Sequence, residues 1–360
     1  MERMMSAVRL TRWQAEPELV RVPVPRPGPG EVLLKVAAAG LCHSDLHLME
    51  WPAGTVPYAL PFTLGHETAG TVAALGPGAR GVSEGDRVLV YARWGCGTCW
   101  HCLQGAENLC ATAASQPGGH GSVGHGAGVG RDGGLAAYMV VPAARYLVPI
   151  GDLDPVAAAP LADAALTPYH AIRHWASLLR PGETVVVIGT GGIGHIAVQL
   201  LRRLSEVRVI GVDNRDRGRR LALQAGAHAA VPGREPDAGQ LRAELGRGAA
   251  LVLDCVATDS TLALSADIVA PGGAISIVGR GGGSLTASPA SLPLGCSVHI
   301  PTWGTLPELV EVVALARAGA ISAQTERFTL DQAADAYRRL RRGEVHGRAV
   351  VTPELSTELN

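Results

Sequence analysis

The sequence predicts an α/β protein of two domains, a β-rich one followed by one with a doubly wound parallel sheet. Its 360 residues are about twice the usual length of a single domain. With 47% hydrophobic and 18% charged residues, the chain can bury a substantial interior. Short apolar runs between Gly/Pro turns give way, near residue 156, to strands that alternate with helices. That alternation is typical of parallel sheets with crossover helices.

The first part of the chain contains Val- and Leu-rich runs that predict strands. These runs cover residues 32–36, 70–75, 87–91 and 137–141. Turns such as Pro27-Gly28-Pro29-Gly30 and Gly76-Pro77-Gly78 separate them.

The second part predicts strands and helices in alternation. The strands are 184–188, 207–212, 251–254 and 274–278, and the helices are 163–179, 192–204 and 261–269. After about residue 301 the sequence predicts helices over 306–317 and 330–341 and a last strand over 348–351.

Charge and composition exclude several classes of function. A formal net charge of −1 argues against a nucleic-acid or membrane-surface partner held by bulk electrostatics. Lys35 is the one lysine of the sequence and lies in an apolar run. A phosphate loop of the Walker type and a Schiff-base lysine are therefore both disfavoured. No apolar N-terminal leader or ~20-residue apolar stretch occurs, so we expect a cytoplasmic protein.

A glycine motif predicts a dinucleotide site. The pattern Gly189-x-Gly191-x-x-Gly194 directly follows the predicted strand 184–188 and opens the predicted helix 192–204. Such glycines permit a tight turn, the approach of a pyrophosphate and close helix–strand packing. The helix N-terminus then offers N–H groups to the phosphates. The alternative is a glycine-rich turn in another kind of α/β domain.

The acidic residue after the next strand bears on the choice of cofactor. Asp213 directly follows the predicted strand 207–212, at the distance from the glycine motif that is expected for a ribose 2′-OH ligand. Because its carboxylate would repel a 2′-phosphate, we expect NAD rather than NADP. Arg215 and Arg217 lie nearby and keep NADP open as an alternative.

Four cysteines predict a closed metal site. Cys96, Cys99, Cys102 and Cys110 form a C-x₂-C-x₂-C-x₇-C pattern in a polar, glycine-rich stretch. Four thiolates at this spacing favour structural zinc, and an iron–sulfur cluster is the rival. His101 lies inside the pattern, and we expect it to face solvent because four sulfurs already satisfy the metal.

A second candidate metal set is dispersed along the chain. Cys42 lies in the segment 40–47, and His66 follows it by 24 positions in the segment 65–70. Neither residue is diagnostic alone. Together with the glycine motif and the four cysteines, however, they make the chain resemble the zinc-dependent medium-chain alcohol dehydrogenases. Gly65-His66-Glu67 with Cys42 matches the catalytic zinc signature of that family.

The resemblance implies a fold and a domain organisation. A GroES-like β-rich catalytic domain would comprise residues 1–156 and 298–360, with a structural zinc lobe at about 93–112. A Rossmann NAD-binding domain would be inserted at 157–297. The family also implies two zinc ions per chain, one catalytic and one structural.

One position departs from the commoner family pattern. Where a cysteine often serves as third catalytic zinc ligand, this chain has Asp163. It resembles the bacterial secondary-alcohol dehydrogenases that use aspartate there. A thiolate, a neutral imidazole and a carboxylate neutralise a dication as well as two thiolates and an imidazole do. The alternative is that Asp163 only caps a helix N-terminus.

The resemblance assigns further roles near Cys42. Ser44 would hydrogen-bond the substrate hydroxyl, and His47 would pass the proton to water by way of the cofactor ribose. Asp45 would hold the ring of His66. Glu67 would lie behind the zinc or bind it transiently.

The remaining candidates line the cofactor and substrate sites. In the NAD site the resemblance places His43 and Arg348 at the pyrophosphate and Thr167 beside the nicotinamide. Three further residues are expected to bind the cofactor: Gly192, Ile193 and Val278. Candidates for an apolar substrate pocket are Trp51, Tyr58, Trp94 and Trp303. Each could instead be an ordinary core or surface residue.

The implied activity is the NAD-linked interconversion of alcohols, above all secondary, apolar or aryl-substituted ones, with ketones or aldehydes. A polyol or sugar dehydrogenase on the same scaffold is an alternative, as is a non-catalytic protein that binds NAD and zinc. The resemblance also implies a homodimer or homotetramer.

Overall fold

The computed structural model describes residues 3–110, 126–234 and 237–354. The chain divides into two compact units. The first comprises Met1–Asp163, Thr305–Gly319 and Ala323–Asn360, and the second comprises Ala164–Gly304 and Ala320–Ser322. These boundaries lie a few residues beyond the expected ones. At the first of them, the helical turn Pro155–Ala158 packs on strands of the first unit. The end of the predicted zinc lobe, from residue 111, lies outside the described residues.

The first segment of the chain is rich in short strands. These are β1 Met4–Leu10, β2 Glu18–Pro23, β3 Val32–Gly40, β4 Phe62–Thr63, β5 Glu67–Leu75, β6 Arg87–Val90, β7 Gly126–Ala127, β8 Gly130–Arg131, β9 Tyr138–Val141 and β10 Leu147–Pro149. Its α-helices are α1 His43–Glu50, α2 Trp100–Leu103 and α3 Pro155–Ala158. Short 3₁₀ turns cover Glu107–Leu109, Ala144–Tyr146 and Ala159–Ala162.

The second unit alternates helices and strands. In chain order they are α4 Leu166–His174, β11 Thr184–Ile188, α5 Gly194–Leu204, β12 Arg208–Val212, α6 Asp216–Gln224, β13 Ala229–Val231, α7 Asp237–Leu245, β14 Ala249–Asp254, α8 Asp259–Ile268, β15 Val269–Ile277 and β16 Ser297–His299. A 3₁₀ turn, Ala176–Leu178, follows α4. The chain then returns to the first unit with α9 Leu306–Arg317, β17 Thr325–Thr329, the 3₁₀ turn Leu330–Gln332, α10 Ala333–Arg341 and β18 Arg348–Thr352.

The sheet of the second unit is parallel, with strand order β13-β12-β11-β14-β15-β16. Its central strand β11 reads Thr-Val-Val-Val-Ile, and four of these five side chains are buried. A continuous β-branched run suits a strand that is covered on both faces. The predicted α/β fold class is confirmed.

The main sheet of the first unit has the order β10-β6-β5-β3-β18-β17, and β9 also pairs with β3. Two pairings of this sheet bring distant segments together: β3 runs antiparallel to β5 and also to the C-terminal strand β18. Gly40 at the end of β3 is the register partner of both Glu67 and Val350. Residues just after β3, just before β5 and at the start of β18 therefore meet. Within the described ranges, no helix combines the length and apolarity that a membrane span needs.

Candidate metal centres and cofactor loop

Three predicted ligands converge at the end of β3 in the first unit. Cys42 follows β3 and is the N-cap of α1, His66 directly precedes β5, and Asp163 follows the 3₁₀ turn Ala159–Ala162. All three are buried, and one ligand atom from each lies within 4.8 Å of the others. We call this set the three-ligand site.

The distances within the three-ligand site fit one metal ion. The Oδ2 atom of Asp163 lies 3.4 Å from Cys42 Sγ and 3.5 Å from His66 Nε2. A tetrahedral ion bonded at ~2.3 Å to sulfur and ~2.0–2.2 Å to nitrogen and oxygen holds such atoms roughly 3.3–3.6 Å apart. The donor set of thiolate, imidazole and carboxylate also suits zinc.

Asp163 does not cap α4. The N-cap of that helix is Ala165, which makes no side-chain cap, and α4 begins only at Leu166. The helix predicted from residue 163 thus starts later than expected. Asp163 has φ −139° and ψ −58°, outside the helical region, and its carboxylate lies among Cys42, His66 and Arg348. The alternative helix-cap role has no support in this geometry.

Asp45 lies beside the imidazole of His66. Its Oδ1 atom is 3.1 Å from His66 Nδ1, and its Oδ2 atom accepts a hydrogen bond from the backbone N–H of Cys42 at 3.0 Å. Burial lowers the pKa of His66, but the two carboxylates Asp45 and Asp163 outweigh that effect and raise the pKa well above its ordinary value. A proton and a metal ion therefore compete for this ring.

Glu67 is held by an arginine from the other end of the chain. Arg348 donates from Nε and Nη2 to the two carboxylate oxygens of Glu67, at 2.9 and 2.6 Å, and from Nη2 to Asp163 at 3.4 Å. Burial raises the pKa of Glu67 to about 7, although Arg348 opposes that shift. Gly40 makes room, because a Cβ there would lie 1.9 Å from Glu67 Oε2. Sequence reasoning missed this ion pair and had assigned Arg348 only to a pyrophosphate.

The other residues predicted around Cys42 lie on α1. Ser44 and His47 are half-buried and occupy positions i and i+3 of this helix, so they share a face, while His43 is exposed. Trp51 ends α1 as its C-cap and is half-buried.

The three other residues predicted to line the substrate pocket are Tyr58, Trp94 and Trp303. Tyr58 is buried and packs edge-on against Phe62, with ring centroids 6.1 Å apart. Trp94 donates from its ring N–H to the carbonyl of Tyr91 at 3.0 Å. Trp303, in the second unit, has a positive φ of 48°, an uncommon backbone conformation for a bulky residue.

The four cysteines form a compact cluster, which we call the four-cysteine site. One sulfur atom from each of Cys96, Cys99, Cys102 and Cys110 lies within 4.8 Å of the others. The Sγ atoms of Cys96 and Cys102 are 3.9 Å apart, close to the ~3.8 Å that a tetrahedral ion with ~2.3 Å bonds requires. Because an iron–sulfur cluster interposes several irons and sulfides, it would need wider spacing.

Backbone N–H groups support the sulfurs of the four-cysteine site. Cys99 N–H donates to Cys96 Sγ at 3.3 Å, and Cys96 N–H donates to Cys110 Sγ at the same distance. Such donors favour the thiolate form that a metal binds. His101 is half-buried rather than fully solvent-facing, and its ring lies edge-on to Trp100.

The glycine motif forms the turn between β11 and α5. Gly189 has a φ of +80°, and a Cβ on Gly194 would lie 2.1 Å from the Gly189 carbonyl oxygen. Both positions therefore require glycine. Among the described residues, a Cβ on Gly191 would meet only the Arg215 side chain within 4 Å, at 3.7 Å, so this face of the loop is open. Gly192 precedes Ile193, which is the N-cap of α5.

Asp213 follows β12 and is buried against this turn. Its carboxylate accepts hydrogen bonds from the backbone N–H of Thr190 at 3.2 Å and of Arg215 at 2.9 Å, and the Arg215 side chain donates to it at 3.1 Å. A charged carboxylate is thus fixed at the carboxyl end of the parallel strands, where α/β sheets bind their ligands. Thr167 and Val278 are also buried in the second unit.

Two family models match the chain. The model described as "Alcohol dehydrogenase GroES-like domain" matches residues 28–152, and the one described as "Zinc-binding dehydrogenase" matches residues 192–314. Together they include the three-ligand site apart from Asp163, the four-cysteine site, and the end of the glycine motif with Asp213.

Full-length relatives agree with these models. The chain is 32% identical to the "NAD-dependent alcohol dehydrogenase" of Sulfurisphaera tokodaii, over 97% of this chain and 100% of that protein. It is 31% identical to the "D-arabinose 1-dehydrogenase (NADP(+))" of Saccharolobus solfataricus, over 96% and 97%. A crystal structure of the alcohol dehydrogenase from Aeropyrum pernix has 32% identity and a TM-score of 0.87, over 97% of this chain and 100% of that one.

Proposed function

This chain belongs to the zinc-dependent medium-chain alcohol dehydrogenase family, and we propose that it interconverts alcohols with ketones or aldehydes, with NAD as the hydride carrier. The substrates we propose are secondary alcohols with apolar or aryl substituents. The observation that carries the proposal is the convergence of Cys42, His66 and Asp163 on one point. Three protein ligands leave one tetrahedral position open, which distinguishes a catalytic zinc site from a structural one.

The chain's own residues hold and orient the reacting groups. When bound, zinc supplies positive charge that lowers the pKa of an alcohol hydroxyl, and the nicotinamide supplies the hydride acceptor. Cys42 and Asp163 contribute two negative charges, so they balance a dication. Burial of all three ligands keeps water from the metal's protein side and strengthens the electrostatic effect.

The proton leaves along α1 in this proposal. Ser44 would accept it from the substrate hydroxyl, and His47, one turn further along the same face, would pass it on towards water. An imidazole suits this step because its ordinary pKa lies near neutrality. Glu67, which is held by Arg348, would lie behind the metal.

The proposed cofactor is NAD, bound with its pyrophosphate at the Gly189–Gly194 turn and its adenosine ribose at Asp213. The buried carboxylate of Asp213 supports this choice, because it would repel a 2′-phosphate. Arg215, which contacts Asp213, limits the strictness of that preference.

We also propose a second zinc ion, held by the four-cysteine site in a structural role. Four sulfurs leave no open position for substrate. The proposal further includes a homodimer or homotetramer that works in the cytoplasm on small-molecule substrates.

A sugar dehydrogenase is the second candidate function, because one full-length relative is named for D-arabinose and NADP⁺. Reduced-nicotinamide absorbance, measured with a panel of secondary alcohols, aryl alcohols and aldoses and with both cofactors, separates the candidates. We expect the highest kcat/KM with an apolar secondary alcohol and NAD. A higher kcat/KM for an aldose would favour the second candidate, and no turnover of any substrate would refute both.

A further inference from the structure

A tyrosine from the C-terminal helix reaches the ligand sphere of the three-ligand site. Tyr337 lies on α10, and its side chain is fully buried. Its hydroxyl donates a hydrogen bond of 3.0 Å to Oδ2 of Asp45, which lies 292 positions earlier in the chain. None of the roles described above uses Tyr337.

Asp45 is a fully buried carboxylate that depends on its hydrogen-bond donors. Its Oδ2 atom accepts from Cys42 N–H at 3.0 Å and from Tyr337 at 3.0 Å, while its Oδ1 atom faces His66 Nδ1 at 3.1 Å. Leaving a buried charged oxygen without a donor is costly, so two donors on Oδ2 fix the rotation of the carboxylate. Oδ1 is then directed at the imidazole.

The orientation of the imidazole follows from that of Asp45. Because Nδ1 of His66 faces Asp45, the other nitrogen, Nε2, lies 3.5 Å from Asp163 Oδ2 and points into the ligand set. A carboxylate that accepts from one nitrogen of a metal-binding histidine fixes its tautomer and raises its basicity towards the metal.

We propose that Tyr337 is a positioning residue for the metal ligand His66 and acts through Asp45. The inference deepens the proposed function, since it rests on metal binding by Cys42, His66 and Asp163. Tyr337 makes the helix α10 part of the metal site, although the three proposed ligands all lie at or before Asp163.

The anchoring of α10 suits this role. Ala333, Ala336 and Leu340 bury the inner face of the helix. On its outer face Arg341 donates to Glu16 at 2.7 Å. Removing only the hydroxyl of Tyr337 therefore leaves the packing of its ring and helix in place, and Tyr337→Phe isolates the hydrogen bond.

The test compares metal binding in full-length variants. Co²⁺ is exchanged into the three-ligand site while zinc stays in the four-cysteine site, and the visible spectrum and the rate of metal release to a chelator are measured. Outer-shell partners of metal ligands are typically worth about 10–100-fold in metal affinity. Tyr337 is one hydrogen bond further from the metal than such a partner. For Tyr337→Phe we therefore expect metal release about three- to tenfold faster, with a shifted cobalt spectrum. Tyr138→Phe is the matched control. Tyr138 lies on β9, outside the site, and its hydroxyl accepts a hydrogen bond from Arg3.

A double-mutant cycle with Asp45→Asn tests the route of the effect. If Tyr337 acts through Asp45, Tyr337→Phe should change the release rate little once Asp45 is already replaced. Full additivity of the two substitutions in the release rate would overturn the inference, as would an unchanged rate and spectrum in Tyr337→Phe alone. If Asp45→Asn does not fold, the result for Tyr337→Phe alone decides. A wild-type protein that gives no cobalt spectrum at this site would overturn the proposed function as well.

Discussion

The two proposed metal centres are built in opposite ways. The four-cysteine site takes all its ligands from residues 96–110, on α2 and the turns around it. The three-ligand site takes its ligands from positions 42, 66 and 163, which the β3–β5 pairing and the 3₁₀ turn Ala159–Ala162 bring together. A local set can close around an ion whatever the rest of the fold does. A dispersed set depends on the pairing of distant segments, and with three protein ligands it would leave a fourth position open for substrate.

Chelation should separate the two centres most strongly. The open site exchanges its metal more readily than a closed tetrathiolate, so a mild chelator should abolish turnover while most secondary structure persists. Zinc content, turnover and circular dichroism would be followed on one sample. Simultaneous loss of activity and structure, with both zinc equivalents leaving together, would contradict the assignment of separate roles.

Removing a sulfur from the four-cysteine site should act on stability instead. Structural zinc contributes ~10–16 kcal/mol in small zinc domains, so losing one of four ligands in Cys102→Ser should cost several kcal/mol. Thermal unfolding would measure the loss. Cys296→Ser is the matched control, because that cysteine lies in the second unit outside both sites. Equal melting temperatures for the two variants would argue against a metal at the four cysteines.

The cofactor preference gives a smaller effect. Asp213→Gly removes the ribose ligand and the repulsion of a 2′-phosphate while Arg215 remains, so the NAD/NADP ratio of kcat/KM should fall by about tenfold, or ~1.4 kcal/mol. Adding Arg215→Ala should reverse part of the gain with NADP. A wild-type enzyme that already turned over faster with NADP would show the assignment to be wrong.

The smallest predicted effect is a loss of folding stability at acidic pH that arises outside both metal centres. Burial and the neighbouring imidazoles of His174 and His170 lower the pKa of His299 from 6.5 to about 4, and the rings of His174 and His299 stack with centroids 4.0 Å apart. Between these pH values the unfolded chain binds a proton that the folded chain does not. Stability is therefore lost as the pH falls from about 6.5 to about 4.

His299→Gln should flatten that slope. Because His299 is partly exposed, solvent screening leaves a contribution of about 1 kcal/mol. Denaturant unfolding at several pH values would measure it, with the exposed His346→Gln as control. Identical slopes in wild type and His299→Gln would remove this group as the cause.

Sequence patterns predicted the bounds of those strands and helices whose own residues determine them. The strand 184–188 and the helix Leu306–Arg317 have the predicted bounds, because an unbroken β-branched run and a capped amphipathic segment each specify one structure. The helix predicted over 163–179 was wrong at both ends. It starts only at Leu166, since Asp163 adopts a non-helical backbone that directs its carboxylate towards Cys42. At its other end it stops at His174 and is followed by a 3₁₀ turn.

Two contacts between distant parts of the chain could not be predicted. Arg348 meets Glu67 across 281 positions, and Tyr337 meets Asp45 across 292. Both contacts depend on the pairing of β18 with β3 and on the packing of α10 against α1, which no local pattern encodes. Lone charged and aromatic residues of this kind look ordinary in a sequence.

Zinc content and turnover of folded Asp163→Ala test the central claim most directly. If Asp163 completes an open, dispersed site, the variant should lose one zinc equivalent and its activity together. Turnover should fall by more than ~100-fold, which is the most that loss of an outer-shell partner typically costs. Asp163→Cys should restore the zinc, because a thiolate carries the same charge at a compatible bond length of ~2.3 Å. Full zinc content with near-normal turnover in Asp163→Ala would contradict the account.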